Sequence, residues 1–221
     1  MTFTAVLFDL DGTLIDPKIG ITESVRYAMV QMGQPIPAAE NIDWCIGPPL
    51  QENFAKLLQT DEQELVDTAV SHYRARYSKE GLFEATVYDG VPEMLTTLQE
   101  LGYRVLLATS KPHVYAREIL AHFALLPFFA EVYGSEMNGR NAHKADLIHH
   151  VLQEESLQPD AAAMIGDREH DIFGAKANDV WVGGVLYGYG RQEEIHHAQP
   201  NHTFATPQAI NDFFTKLPKP M

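Results

Sequence analysis

Apolar residues along this chain fall into two regimes. Short, nearly uninterrupted apolar runs occur at residues 3–8, 104–109, 161–165 and 180–186, and from residue 91 onward they alternate with segments of helical periodicity. Strands buried on both faces read as continuous apolar runs. The order therefore predicts an α/β fold, a Rossmann-like and mostly parallel sheet flanked by helices. Helix boundaries are also legible. Pro92 opens one helix in its first turn and Gly102 closes it, and Thr206-Pro207 starts the last helix in the same way.

Between residues 16 and 84 the pattern changes. No convincing strand occurs there, residues 21–32 are periodic up to Gly33, and Thr60-Asp61-Glu62-Gln63 reads as a capping box. Val66, Ala69, Val70, Tyr73 and Tyr77 then follow at helical spacing. The expectation is a core made of residues 1–15 and 85–221, with residues 16–84 inserted as a small helical domain. Asp16-Pro17 and residues 86–90 would be the linkers.

Composition narrows the partners. The chain has 221 residues and 45% apolar content, enough for a real core in one large or two small domains. Sixteen basic against thirty acidic residues give a formal charge of −14. A surface so acidic repels nucleic-acid phosphates, so no polynucleotide partner is expected. Cys45 is the only cysteine, which removes any intramolecular disulfide framework or cysteine-rich zinc site. Neither a leader pattern nor an apolar stretch of about 18 to 20 residues is present, so the expectation is a cytoplasmic protein without a membrane span.

Candidate chemistry concentrates where the first apolar run ends, in Asp9-Leu10-Asp11-Gly12-Thr13-Leu14. In extended chain, residues i and i+2 point the same way, so Asp9 and Asp11 can face one volume beyond the strand's carboxyl end, where open α/β sheets bind ligands. Two carboxylates in a dry site repel each other. A divalent cation or a shared proton relieves this, and Mg²⁺ is the natural candidate.

That hexapeptide resembles the first motif of the haloacid dehalogenase-like superfamily, whose largest branch is Mg²⁺-dependent aspartyl phosphatases. Three further segments match in order. Thr109-Ser110-Lys111-Pro112 ends an apolar run as the second motif does, Lys144 opens an amphipathic segment in the place of the third motif's lysine, and Gly166-Asp167-Arg168-Glu169-His170-Asp171 fits the acidic fourth motif. The resemblance covers nearly the whole chain.

What it implies is hydrolysis of a small phosphorylated metabolite through an aspartyl-phosphate. Asp9 would be the nucleophile. Asp11 would protonate the leaving alkoxide and later deprotonate water; its presence argues against a dehalogenase, whose motif lacks it. Mg²⁺ would be held by Asp9, Asp167 and a backbone carbonyl of Leu10 or Asp11, the family's donor mapping to Asp11, with Asp171 acting through water or hydrogen bonds. Thr109, the Ser110 backbone amide and Lys144 would bind the phosphate oxygens, although Ser110 stands where many relatives carry Asn. Plain helix N-terminal charges are the other reading of Asp167 and Asp171.

The inserted helices are similar to the cap of the phosphoglycolate phosphatase-like branch, with Gly47-Pro48-Pro49 in the place of a specificity loop. Phosphoglycolate and nucleoside 5′-monophosphates stand as near-equal substrates. A sugar phosphomutase shares the motifs and is the alternative, followed by a non-catalytic binder of phosphorylated metabolites. His149-His150 and His196-His197 are adjacent residues that diverge on a helix, which suits a metal poorly. Tyr187-Gly188-Tyr189-Gly190 follows a strand, and either a cleft border or a plain loop fits it.

Overall fold

The structure, a computed structural model, describes residues 2–39 and 42–220. It divides into two compact units, one of residues up to Asp16 and from Val87 onward, the other Pro17–Thr86. The chain begins with β1 (Ala5–Phe8) and β2 (Ile15–Asp16). The helical unit follows as α1 (Lys18–Gln31), α2 (Leu50–Leu58) and α3 (Gln63–Arg76). The chain returns through β3 (Thr86–Val87), α4 (Val91–Glu100), β4 (Arg104–Pro112), α5 (His113–His122) and β5 (Glu131–Ser135). It ends with α6 (Lys144–Glu154), β6 (Ala162–Gly166), α7 (Glu169–Lys176), β7 (Trp181–Val185), α8 (Gln192–Ala198), β8 (His202–Phe204) and α9 (Pro207–Thr215).

The core sheet has six strands in the order β5-β4-β1-β6-β7-β8, and each pairing is parallel. All four residues of β1 and all five of β6 are buried, as expected of inner strands covered on both faces. On one face Leu7, Leu106 and Met164 pack with Leu147 and Ile148 of α6 and Ile172 of α7. On the other, α4 and α9 pack together, and Phe214 of α9 lies 6.1 Å from the Phe3 ring and 5.2 Å from Tyr103. The order of strands reverses direction around β1, so the crevice beyond its carboxyl end is the topological switch point.

In the helical unit α1 and α2 both pack on α3, with Phe54 set edge-on to Tyr73 and Tyr73 stacked on Tyr77. Arg76 ties its ends by donating to Ser24 and to both oxygens of Glu84. The capping box expected at Thr60 is not formed. The Thr60 hydroxyl accepts from the Glu62 amide at 3.1 Å, and α3 starts only at Gln63, too late for Gln63 to reach back. At α9 the expected cap is present: the Thr206 side chain accepts from the Ala209 amide. No helix among the described residues is long and apolar enough to cross a membrane.

Candidate active site

The site begins where β1 runs out. The Asp9 amide still donates to the Ile165 carbonyl at 2.9 Å, continuing the β1–β6 ladder by one residue, and the chain then turns. The Leu14 and Ile15 amides bond back to the Leu10 carbonyl and Gly12 donates to Ile15. Gly12 sits at φ +81°, and a Cβ there would fall 2.1 Å from Asp167 Oδ2. Only glycine satisfies both the turn and the close approach of the β6 carboxylate.

Beyond β6, Asp167 Oδ2 accepts from the Tyr189 amide at 2.8 Å, and the Thr13 hydroxyl approaches Oδ1 at 3.5 Å. Asp171 caps α7 by accepting from the Arg168 amide at 3.1 Å. Lys144, the first residue of α6, places its Nζ 2.8 Å from Asp9 Oδ1, 2.6 Å from Asp171 Oδ1 and 2.7 Å from the Ala108 carbonyl. The ammonium thus donates to the Ala108 carbonyl and lies in ion-pair contact with both carboxylates. Asp9, Asp167 and Asp171 each offer a carboxylate oxygen within 4.8 Å of the others, and all three are buried.

Burial pushes the Asp167 carboxyl well above the usual carboxylate range; the nearby charges of Asp171 and Asp9 push it the same way, and the Tyr189 amide only partly opposes them. Asp171 and Asp11 are also raised by burial, each against the pull of its lysine partner. Burial alone would lower Lys144, but Asp171 and Asp9 outweigh it and its ammonium is held above the ordinary lysine value. Of the three clustered carboxylates, Asp9 and Asp171 thus share one ammonium, and Asp167 lies beside them. Clustered carboxylate oxygens with a surplus of negative charge fit a hard divalent cation.

On the other flank of β1, β4 ends irregularly. Thr109 pairs with Gly134 of β5, but the next paired residue is Pro112, opposite Ser135, so Ser110 and Lys111 bulge out of the ladder. Thr109 is buried, follows the carbonyl that receives Lys144, and accepts from the Lys111 amide at 3.3 Å. Lys111 turns inward and places Nζ 2.8 Å from Asp11 Oδ2. A third contributor is the loop after β7: the Tyr187 hydroxyl donates to the Thr13 carbonyl at 3.0 Å, and the Tyr189 hydroxyl bonds Asp16. The aromatic run therefore packs on the turn of the first motif.

The haloacid dehalogenase-like hydrolase model matches residues 6–185. The chain belongs to that family. Within it, the chain is 44% identical over 210 residues to a protein named 5′-nucleotidase from Pseudomonas aeruginosa, covering 95% of each. It is 36% identical over 190 residues to a protein from Mycobacterium tuberculosis named tyrosine-protein kinase PtkA, covering 86% of this chain and 64% of that one. A phosphoglycolate phosphatase from Colwellia psychrerythraea is 27% identical over 209 residues, covering 91% and 92%. Among solved structures, a predicted phosphatase from Clostridium acetobutylicum superposes with a TM-score of 0.94 at 35% identity, covering 98% of this chain and all of that one.

Of the residues expected from the haloacid dehalogenase-like motifs, the structure joins Asp9, Asp171 and Lys144 by direct ion pairs and puts Asp167 among them. Thr109 and Ser110 lie at the same sheet edge, on β4 next to β1. Sequence reasoning gave Lys111 no role. No signal in the strand's own sequence marked it, because its direction depends on the bulge that Ser110 and Lys111 make against β5. The histidine pairs lie on α6 and α8, outside the carboxylate cluster.

Proposed function

We propose that the chain hydrolyses small phosphate monoesters, nucleoside 5′-monophosphates first among them, through an aspartyl-phosphate on Asp9. The observation that carries this reading is a division of labour on one turn: Asp9 and Asp11 are two residues apart, and each is backed by a different buried lysine. Asp9 is paired to Lys144 and stands at the strand end as the candidate nucleophile. Asp11 is pushed above the usual carboxylate range by burial, against the pull of Lys111, which suits a group that must carry a proton.

In the first step a carboxylate oxygen of Asp9 bonds to phosphorus, the ester P–O bond breaks, and Asp11 gives its proton to the leaving alkoxide. In the second, water attacks phosphorus while Asp11 takes its proton, and inorganic phosphate leaves with Asp9 restored. Thr109, the Ser110 amide and the charge of Lys144 act on the phosphate oxygens. Because it already lies between Asp9, Asp171 and the Ala108 carbonyl, Lys144 contributes charge first.

Asp9, Asp167 and the Asp11 carbonyl would hold Mg²⁺, with Asp171 holding Lys144 and the Arg168 amide in place. The cation, when bound, offsets the repulsion between phosphate and carboxylates. The helical unit takes the role of the family's cap, selecting substrate, with Gly47-Pro48-Pro49 as its specificity loop.

The 44% identity to the Pseudomonas 5′-nucleotidase, against 27% to the phosphoglycolate phosphatase, favours nucleotides over phosphoglycolate. A second reading is phosphoryl transfer to an acceptor other than water, as in a phosphomutase; the name of the mycobacterial relative favours keeping it. Phosphate release is to be measured from nucleoside monophosphates, phosphoglycolate and sugar phosphates, with Mg²⁺ and with chelator. Chelator-sensitive release without an added acceptor is the expected result. No release from any ester with Mg²⁺ present would sink hydrolysis.

A further inference from the structure

Lys111 is a buried cation that the reaction above leaves without a task. Its side chain is 5% exposed, and burying a charge is costly unless the arrangement is specific. The backbone is shaped to put it there. The β4 bulge lifts Ser110 and Lys111 out of register, and β5 yields room for it, since a Cβ on Gly134 would lie 2.5 Å from the Lys111 carbonyl and 2.8 Å from the His113 amide. Bulges re-aim side chains beside active sites.

At its other end Lys111 meets Asp11 at Oδ2, at 2.8 Å. Asp11 Oδ1 is buried and has no hydrogen-bond partner among the described residues. A carboxyl group rotates freely about its last bond unless something fixes it, and proton transfer demands placement within about 0.5 Å. We infer that Lys111 is the positioning residue of Asp11: it holds Oδ2 and so makes Oδ1 the oxygen that passes the proton to the leaving alkoxide and later receives one from water. The inference rests on the phosphatase reading.

The test compares two leaving groups. An alkoxide, from a nucleoside 5′-monophosphate, needs the proton as the P–O bond breaks; p-nitrophenolate, from p-nitrophenyl phosphate, does not. Lys111→Met keeps the length of the side chain and removes its charge and donors. Hydrolysis of the aspartyl-phosphate is common to both esters, so the first step is read alone, as the single-turnover rate of nucleoside or p-nitrophenolate release. Since general acid catalysis contributes about 10²- to 10⁴-fold, that rate is expected to fall about 10- to 100-fold for the nucleotide and to stay within about threefold for p-nitrophenyl phosphate, with substrate affinity little changed on either. Adding Asp11→Asn to Lys111→Met should cost no more than Asp11→Asn alone. Lys111→Arg, which restores charge and donors, should regain part of the nucleotide rate and supplies the comparison if the Met variant does not fold, as judged by its circular dichroism melt.

Equal losses of this single-turnover release rate on both esters, or a loss carried by substrate affinity, would overturn the assignment and make Lys111 a phosphate-binding or packing residue. A wild type that is active on both, with leaving-group release from the two esters equally slowed in Lys111→Met, therefore sinks this inference alone. A wild type inert on both sinks the phosphatase reading and this inference with it.

Discussion

The two strands beside β1 end in opposite ways. β6 keeps its ladder to Gly166 and then delivers acidic groups, Asp167 and Asp171, fixed by backbone amides at 2.8 and 3.1 Å. β4 loses its ladder after Thr109 and delivers hydroxyls and a lysine. One flank concentrates negative charge, the other supplies donors, and Lys144 joins them by spanning Asp9, Asp171 and the β4 carbonyl of Ala108. The difference separates two tasks that a phosphoryl-transfer site must perform together, holding a cation and steering protons and phosphate oxygens. Each flank can then be disturbed without the other.

The residue common to both tasks gives the largest effect. Asp9→Asn should abolish turnover while the melting curve stays near wild type; more than a few per cent residual activity would remove Asp9 as nucleophile. Lys144→Ala comes next, because it cuts the link between flanks. Loss of a single charge-stabilising donor costs on the order of 2.7 to 4 kcal/mol of barrier, or 10²- to 10³-fold in kcat. The variant should also melt lower, since Asp9 and Asp171 lose their shared ammonium. Kinetics unchanged from wild type would return Lys144 to a structural role.

Asp167→Asn isolates the acidic flank and has an unusual sign. Asp167 has a folded-state pKa raised well above its unfolded value, so ionising it costs the native state stability as pH rises above the ordinary carboxylate range. In chelator at neutral pH the asparagine variant should therefore be more stable than wild type, on the order of 1 to 3 kcal/mol. With Mg²⁺ the order should invert, because a ligand present at about 100 times its Kd stabilises by about 2.7 kcal/mol and the variant loses a ligand atom. Thermal melts in chelator and in Mg²⁺ decide it; identical responses in the two proteins would take Asp167 out of the metal set.

How much of this was legible in sequence differs along the same divide. Inner strands announced themselves because burial on both faces demands continuous apolar runs, whereas the edge strands β5 and β8 went unread. β5 buries only Val132 and Ser135, and β8 only Phe204, so neither leaves an apolar run. Asp9 and Asp11 stood out as two carboxylates one residue apart at a strand end, and Lys144, Asp167 and Asp171 through their resemblance to the family's third and fourth motifs. Lys111 depends on a bulge, and a bulge is a property of pairing between two strands, which one strand's sequence does not encode. The hydroxyl bonds of Tyr187 and Tyr189 likewise join residues more than 170 apart in the chain.

The smallest expected effect tests what holds the acidic flank in place. Glu194 of α8 accepts from Arg168 Nε at 2.8 Å and from the Glu169 amide at 3.1 Å, fastening the loop between Asp167 and Asp171. Burial pushes the Glu194 carboxyl up, but these donors outweigh it and hold it below the ordinary glutamate value. A depressed folded-state pKa contributes stability above the unfolded value and loses it as pH falls through the folded one. Glu194→Gln should therefore cost about 1 kcal/mol at neutral pH, and the deficit should shrink as pH drops below about 4.3. Urea midpoints across that window check the sign. The β4 flank has its own anchor in the Lys111–Asp11 pair, so the leaving-group pattern of this variant should match wild type; a selective loss on alkyl esters would show that the two flanks are not separable after all.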